Sequence, residues 1–197
     1  MPWLEPVTLS GRHAELKPLS RDHIDGLTVA VKDGELWKLW YTFVPQPEDM
    51  GKEIDRRLGL QAAGSMLPFT VFDAESKIAG MTTYMNVDAP NRRVEIGSTW
   101  YAKRVQRTPL NTQCKLLLLG HAFEKLDCIA VEFRTHFFNH QSRRGIERLG
   151  AKLDGIVRSH QIAPNGTLRD TVVYSIIASE WPTVKAHLNY QLNERAR

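Results

Sequence analysis

The chain has 197 residues, 42% hydrophobic and 24% charged, with a formal net charge of +4. That length suits a single domain, residues 1–197, around one core. No apolar run reaches the roughly 20 residues a membrane-spanning helix needs, and residues 1–5 lack the basic flank and apolar stretch of a secretory leader. Residues 7–16 read as a short hairpin turning near Ser10-Gly11. Ser20 suits the N-cap of a helix to about residue 31. Trp37, Trp40, Tyr41 and Phe43 form an aromatic cluster. Pro45 and Pro47 interrupt the chain before a helix over 48–63, closed by Gly64.

The middle of the chain is richer in β-branched and aromatic residues. Segments 67–72, 78–87 and 93–101 read as an antiparallel meander, with turns at 73–76 and 89–91. A leucine-rich helix is expected over 111–126, a strand over 129–135, and a helix over 140–149 ended by Gly150. Two strands, 153–162 and 168–177, turn at Pro164-Asn165-Gly166, and a last helix starts at Trp181-Pro182. This order predicts an α/β fold: a mixed, mostly antiparallel sheet with helices on both faces.

The most informative segment joins the third strand of the meander to the leucine-rich helix. Its cations, Lys103, Arg104 and Arg107, precede a helix start. The first turn of a helix has unpaired N–H groups and a partial positive charge, so it can bind phosphate oxygens. Arg104 and Arg107 can add charge-assisted bonds, and Thr108, Asn111 and Thr112 add hydroxyl and amide donors. A solvated loop with no ligand is the alternative. The basic balance favours an anionic partner, and nucleic acid ranks last because no RNP-like motif or basic repeat is present. Cys114 and Cys128 sit at no metal-ligand spacing. His136, His140 and His160 form no ligand pattern either, so no metal is expected and a reducing cytoplasm is the simplest setting. Cys114 is near a helix start, where a thiol can be activated, but its leucine-rich surroundings favour packing.

Residues Gln106-Arg107-Thr108-Pro109-Leu110-Asn111 resemble the pyrophosphate loop Q/R-x-x-G-x-G/A of the GNAT acetyltransferases. Asn139-His140-Gln141-Ser142 and Glu147-Arg148-Leu149-Gly150-Ala151 resemble that family's N-x-x-S and E-x-L-G-[AF] block. The C-terminal segments resemble the subgroup of ribosomal-protein N-terminal acetyltransferases. The resemblance spans about residues 9–188. It implies the GNAT fold, acetyl-CoA as acyl donor and a primary amine as acceptor, either a small molecule or a protein N-terminus; a homodimer is left open. It places Trp100, Tyr101, Arg104, Gln106, Arg107, Thr108, Leu110, Asn111, Thr112, Asn139 and Arg143 at the coenzyme. Pro109 departs from the pattern: it stands at a glycine position and has no N–H to offer a phosphate.

Transfer from a thioester requires a neutral amine, a donor for the oxyanion and a proton for the departing thiolate. The resemblance nominates Glu95 as general base, directly or through water, and Ser142 as the group that protonates the thiolate. Ordinary alternatives are a strand glutamate paired with a neighbouring arginine, and a hydroxyl that helps cap a helix. Aromatic lining of the acceptor pocket by Trp37, Trp40 and Tyr41 competes with plain core packing. Pro109 also keeps open a non-catalytic acyl-CoA-binding module.

Overall fold

The computed structural model describes residues 3–194. Residues 1–2 and 195–197, the ends of the expected domain and the start of the 1–5 segment, lie outside the described residues. The β-rich segments form β1 (Leu9–Ser10), β2 (Ala14–Pro18), β3 (Met66–Asp73), β4 (Ile78–Asp88), β5 (Arg93–Tyr101), β6 (Ala130–His136), β7 (Lys152–Ile162) and β8 (Leu168–Ile177). All eight join one sheet in the order β1-β2-β3-β4-β5-β6-β8-β7. Neighbours run antiparallel except β5 and β6, which are parallel because α3 (Leu110–Glu124) carries the chain across between them.

The other helices are α1 (Ile24–Lys32), α2 (Met50–Ala62), α4 (His140–Glu147) and α5 (Trp181–Glu194). Adjacent residues of a strand point to opposite faces. Thr83 accepts a hydrogen bond from Arg57 of α2, whereas Tyr84 donates to the carbonyl of Leu118 in α3. Helices α2 and α3 therefore cover opposite faces of the sheet. The α3 face is closed by Leu110, Leu118, Leu119 and Ala122, all buried, and by Trp181 and Leu188 of α5.

Element boundaries follow the sequence expectation closely, with two local differences. Ser20 caps a 3-10 turn, Arg21–His23, and α1 begins only at Ile24. Likewise Pro47 opens a 3-10 turn, Pro47–Asp49, before α2. Both are tighter first turns, a frequent way to begin a helix.

Two irregularities shape the centre of the sheet. The β4–β5 register shifts between Met81 and Thr83, so β5 carries a bulge with Ser98 at φ 48°. Opposite it, Gly80 lies at φ 151°, and a Cβ there would fall 2.1 Å from the carbonyl oxygen of Trp100. The second irregularity is that β5 pairs with β6 only from Arg93 to Glu95. Beyond Glu132, β6 keeps its pairing with β8 as far as His136. The Ile96–Tyr101 stretch of β5 thus has no strand on that side, and a wedge opens between the two strands.

Candidate active site

The wedge is held open from below by a buried ion pair. Arg57 is 1% exposed; its Nε donates to Glu53 (2.7 Å), its Nη1 to Thr83 (2.6 Å) and its Nη2 to the carbonyl of Ser98 in the bulge (3.4 Å). Glu53 also grips Arg56 through both carboxylate oxygens. The bulge is therefore fixed by a charged side chain, not left to strand pairing. Above it, the unpaired edge of β5 turns backbone N–H and C=O groups toward the wedge, where an extended amide-bearing chain can pair with them.

The wedge leads to the start of α3. Gln106 donates to the carbonyl of Tyr101 (3.0 Å), and Thr108 bonds the carbonyl of Val105 (2.7 Å) while accepting from the N–H of Leu110 (3.3 Å). These bonds shape the loop. Pro109 is the N-cap at φ −62° and ψ −15°, a conformation proline adopts without strain. The left-handed residue is Arg107, at φ 63°, two positions before the expected glycine. Proline thus costs the loop one N–H but no backbone strain. The N–H groups of Asn111 and Thr112 face the open first turn.

The expected coenzyme residues divide by direction. Arg107 is exposed beside the first turn of α3, whereas Arg104 is drawn away. Its N–H donates to Asp33 (2.8 Å), and its guanidinium pairs with Asp73 and donates to the carbonyl of Ile78 (3.0 Å). The 3-10 turn Lys103–Val105 directs it there. The side chains of Trp100 and Leu110 and the hydroxyl of Tyr101 are buried in the core, so these residues offer the wedge backbone only. One residue was missed by sequence reasoning. Arg148, at the C-cap of α4, donates from Nη2 to the Thr112 hydroxyl (3.3 Å), and no carboxylate pairs with it among the described residues. Only folding brings this cation to the helix start; the sequence separates them by 36 positions.

Two buried groups lie further along α3. The Cys114 thiol is pushed up to about 12 by burial, which makes it a packing group rather than a nucleophile. Lys115 is buried, donates to the Thr99 hydroxyl (3.3 Å), and is pushed down to about 8 by burial. Across the wedge, Asn139 caps α4 by accepting from the N–H of Ser142 (3.0 Å). The Ser142 hydroxyl makes no hydrogen bond among the described residues. Arg143 donates to the Tyr174 hydroxyl (3.2 Å) and the carbonyl of Phe137 (3.3 Å), and Tyr174 donates to Glu147 (2.7 Å).

On the α2 face, Glu95 and Glu132 are register partners with opposite electrostatics. Glu95 is 4% exposed. It accepts from Asn86 (2.7 Å), and its closest cation, Arg134, stands 3.5 Å away. Burial raises its pKa, outweighing these contacts. Burial pushes Glu132 the same way, but Arg93 (2.5 Å) and Arg134 (2.9 Å) hold it below its ordinary value. Gly97 leaves room for the Glu95 carboxylate: a Cβ there would sit 2.8 Å from Oε1. A polar cavity of about 140 Å³ opens between Glu95, Arg134 and Asn86. A larger apolar groove of about 600 Å³ lies on the α3 side, between Leu9, Leu117 and Trp181, away from these groups. The smaller cavity is the one with chemistry.

The same face continues to the end of β6. Trp37 packs on the core, while Trp40, 51% exposed, and Tyr41 lie over His136 with ring centroids 5.1 Å and 6.3 Å away. Phe138 closes the group at 5.8 Å. Among the described residues no three His, Cys, Asp or Glu side chains converge as a metal site would require.

Residues 13–152 match the family model for the acetyltransferase (GNAT) domain. The Bacillus subtilis (strain 168) protein known as "Putative ribosomal N-acetyltransferase YdaF" is 33% identical over 107 residues, which cover 54% of this chain and 57% of that protein's length. The structure of a GCN5-related N-acetyltransferase from Brucella melitensis superimposes with a TM-score of 0.87 at 29% identity, covering 98% of this chain and 89% of that one. The ribosomal L7/L12 α-N-protein acetyltransferase RimL, solved in complex with coenzyme A, shares the fold with a TM-score of 0.74 at 19% identity over 87% of this chain and 98% of that one. A wedge between two parallel strands, a phosphate-ready helix start and a match over residues 13–152 converge on one family: the chain belongs to the GNAT acetyltransferases, which take their acyl group from acetyl-CoA.

Proposed function

We propose that this protein moves an acetyl group from acetyl-CoA to a primary amine by direct attack within a ternary complex. One observation carries the reading: a buried carboxylate with raised pKa, Glu95, stands beside a strand edge left open next to a cation-rimmed helix start. In this reading Arg107, Arg148 and the N–H groups of Asn111 and Thr112 hold the diphosphate. Arg148 makes up for the donor that Pro109 lacks. The open edge of β5 pairs with the pantetheine amides and polarises the thioester carbonyl through a backbone N–H.

Glu95 takes the proton of the incoming ammonium, directly or through water. The neutral nitrogen then forms its bond to the carbonyl carbon, and the C–S bond breaks as the oxyanion collapses. Ser142, whose hydroxyl is free, passes a proton to the departing thiolate and regains one from the acidified nitrogen or from solvent. Tyr174 is the less suitable donor because Arg143 and Glu147 already engage its hydroxyl. The relatives named for ribosomal substrates favour a protein N-terminal amine as acceptor, with small-molecule amines as the second class.

Calorimetric titration with CoA, followed by acetyl-CoA consumption across a panel of N-terminal peptides and small amines, tests the reading. CoA binding and turnover abolished by Glu95→Gln are expected. CoA binding without turnover would favour an acyl-CoA-binding module, and no CoA binding would overturn both.

A further inference from the structure

His136 and Arg169 form the unusual pair on the α2 face. His136 is 4% exposed, and its Nδ1 accepts from the N–H of Phe138 (3.1 Å). An accepting Nδ1 fixes the neutral ring as the Nε2–H tautomer. That Nε2 is buried beneath Trp40 and Tyr41 with no hydrogen-bond partner. A buried donor without a partner is costly, and each such group calls for an explanation, a bound ligand among them.

Arg169 reaches the same place from β8. Thr171 is the register partner of His136, and Arg169 donates from Nε to the Thr171 hydroxyl (3.1 Å). Arg169 is half-buried, and no carboxylate lies within ion-pair distance of it among the described residues. Its neighbour Asp170 is taken by Arg158 (2.6 Å) and the N–H of Ser159 (2.8 Å). Burial lowers the Arg169 pKa, and Glu95 is the carboxylate that pulls it back up. Burial and then the Arg169 charge lower His136, against a smaller pull from Asp170. The guanidinium thus acts electrostatically on both the imidazole and the proposed base.

We propose that His136 Nε2–H and Arg169 form a subsite for a carboxylate carried by the acceptor, so that the substrate class is an amine that also bears an acid group. The inference rests on the proposed function. The amine goes to Glu95, the carboxylate accepts from the guanidinium and the imidazole N–H, and Trp40 and Tyr41 cover the imidazole side. An unmatched donor and an unmatched cation are satisfied by one anion. A neutral amine would leave both unsatisfied, so discrimination comes from the buried groups themselves. A free amino acid and a peptide N-terminus with a nearby acidic side chain share this chemistry.

The test uses matched acids and amides on the whole protein. CoA-saturated protein is titrated with N-acetylated glycine, β-alanine, γ-aminobutyrate and glutamate, each as the acid and as the amide. The N-acetyl dipeptide amides Ala-Glu and Ala-Gln form a second arm. At least one acid should bind roughly tenfold or more tighter than its amide, and its binding should move the His136 Nε2–H resonance. A preference within the first arm identifies a small-molecule source, and one confined to the dipeptides a peptide source. Arg169→Gln should abolish the preference while leaving CoA affinity unchanged. Equal binding of acids and amides, binding of no acid, or a preference that survives in Arg169→Gln would overturn the subsite. Intact CoA binding and turnover of neutral amines in that case would leave the proposed function standing.

Discussion

On the face of β5 covered by α2, almost every charge has a partner: Glu53 with Arg56 and Arg57, and Glu132 with Arg93 and Arg134. Glu95 and Arg169 stand apart: Glu95 is buried with an amide donor and only a loose ion pair to Arg134 at 3.5 Å, and Arg169 has no ion-pair partner among the described residues. On the α3 face the shortage is reversed. Arg107, Arg148 and buried Lys115 surround or line the first turns of α3, with no carboxylate paired to them among the described residues. One face withholds positive charge from a carboxylate and so makes a base. The other withholds negative charge from cations and so makes an anion site. Glu95 and Glu132 sharpen the lesson: they are register partners and both feel burial, yet their pKa values move in opposite directions because Glu132 is hydrogen-bonded by both Arg93 and Arg134, whereas Glu95 has Arg134 only at 3.5 Å.

The largest expected effect breaks the base. Glu95→Gln should lower kcat by about 10²–10⁴-fold with CoA affinity retained, measured by steady-state kinetics and calorimetry. Stability should hold or rise. The folded-state pKa of Glu95 is raised, so the folded chain binds its proton more tightly and ionisation at neutral pH opposes folding. In the parent protein the acidic limb of kcat/KM should lie above the ordinary carboxylate range, and Glu132→Gln should move that limb down, because the Glu132 charge helps raise Glu95 and its loss frees Arg134.

Next is the support beneath the bulge. Arg57→Met removes one member of a buried pair, but Arg56 still neutralises Glu53, so the loss should fall near the low end for such pairs, about 3 kcal/mol in urea denaturation. Because the Ser98 carbonyl loses its anchor, kcat/KM should fall further than stability alone explains.

On the other face, Arg148→Ala should weaken CoA about tenfold, and the weakening should shrink as salt is raised. Pro109→Gly should tighten CoA by no more than a few-fold, because the restored N–H is offset by a freer unbound loop. The smallest effect is on stability. Lys115 titrates near 8 when folded and near 10.5 unfolded, so between those values the unfolded chain holds its proton more tightly and the penalty of burying this one charge should fade with rising pH. Lys115→Met should melt higher than the parent at pH 7, the difference should narrow as pH rises through that window, and CoA should move the window upward.

Much of this was legible in residue order. The meander, the leucine-rich helix and the final hairpin follow from period-2 and period-3.6 patterning and from turn residues, both of which are local. Glu95 was legible as a strand carboxylate, and Asn139 as a cap. Arg104 was not legible as an ion-pair partner of Asp73, because a short 3-10 turn decides where its side chain goes. Arg148 gave no signal at all, since its partner Thr112 belongs to a different helix.

The amino-acid order by itself determined the elements, the loop that starts α3 and the chemistry types available, because those depend on neighbours a few residues apart. Only the tertiary structure decided how far β5 and β6 stay paired, which carboxylate is left without close arginines and which histidine nitrogen is left without a partner. Those outcomes depend on burial and on side chains brought together from distant segments, and both are properties of packing rather than of sequence spacing.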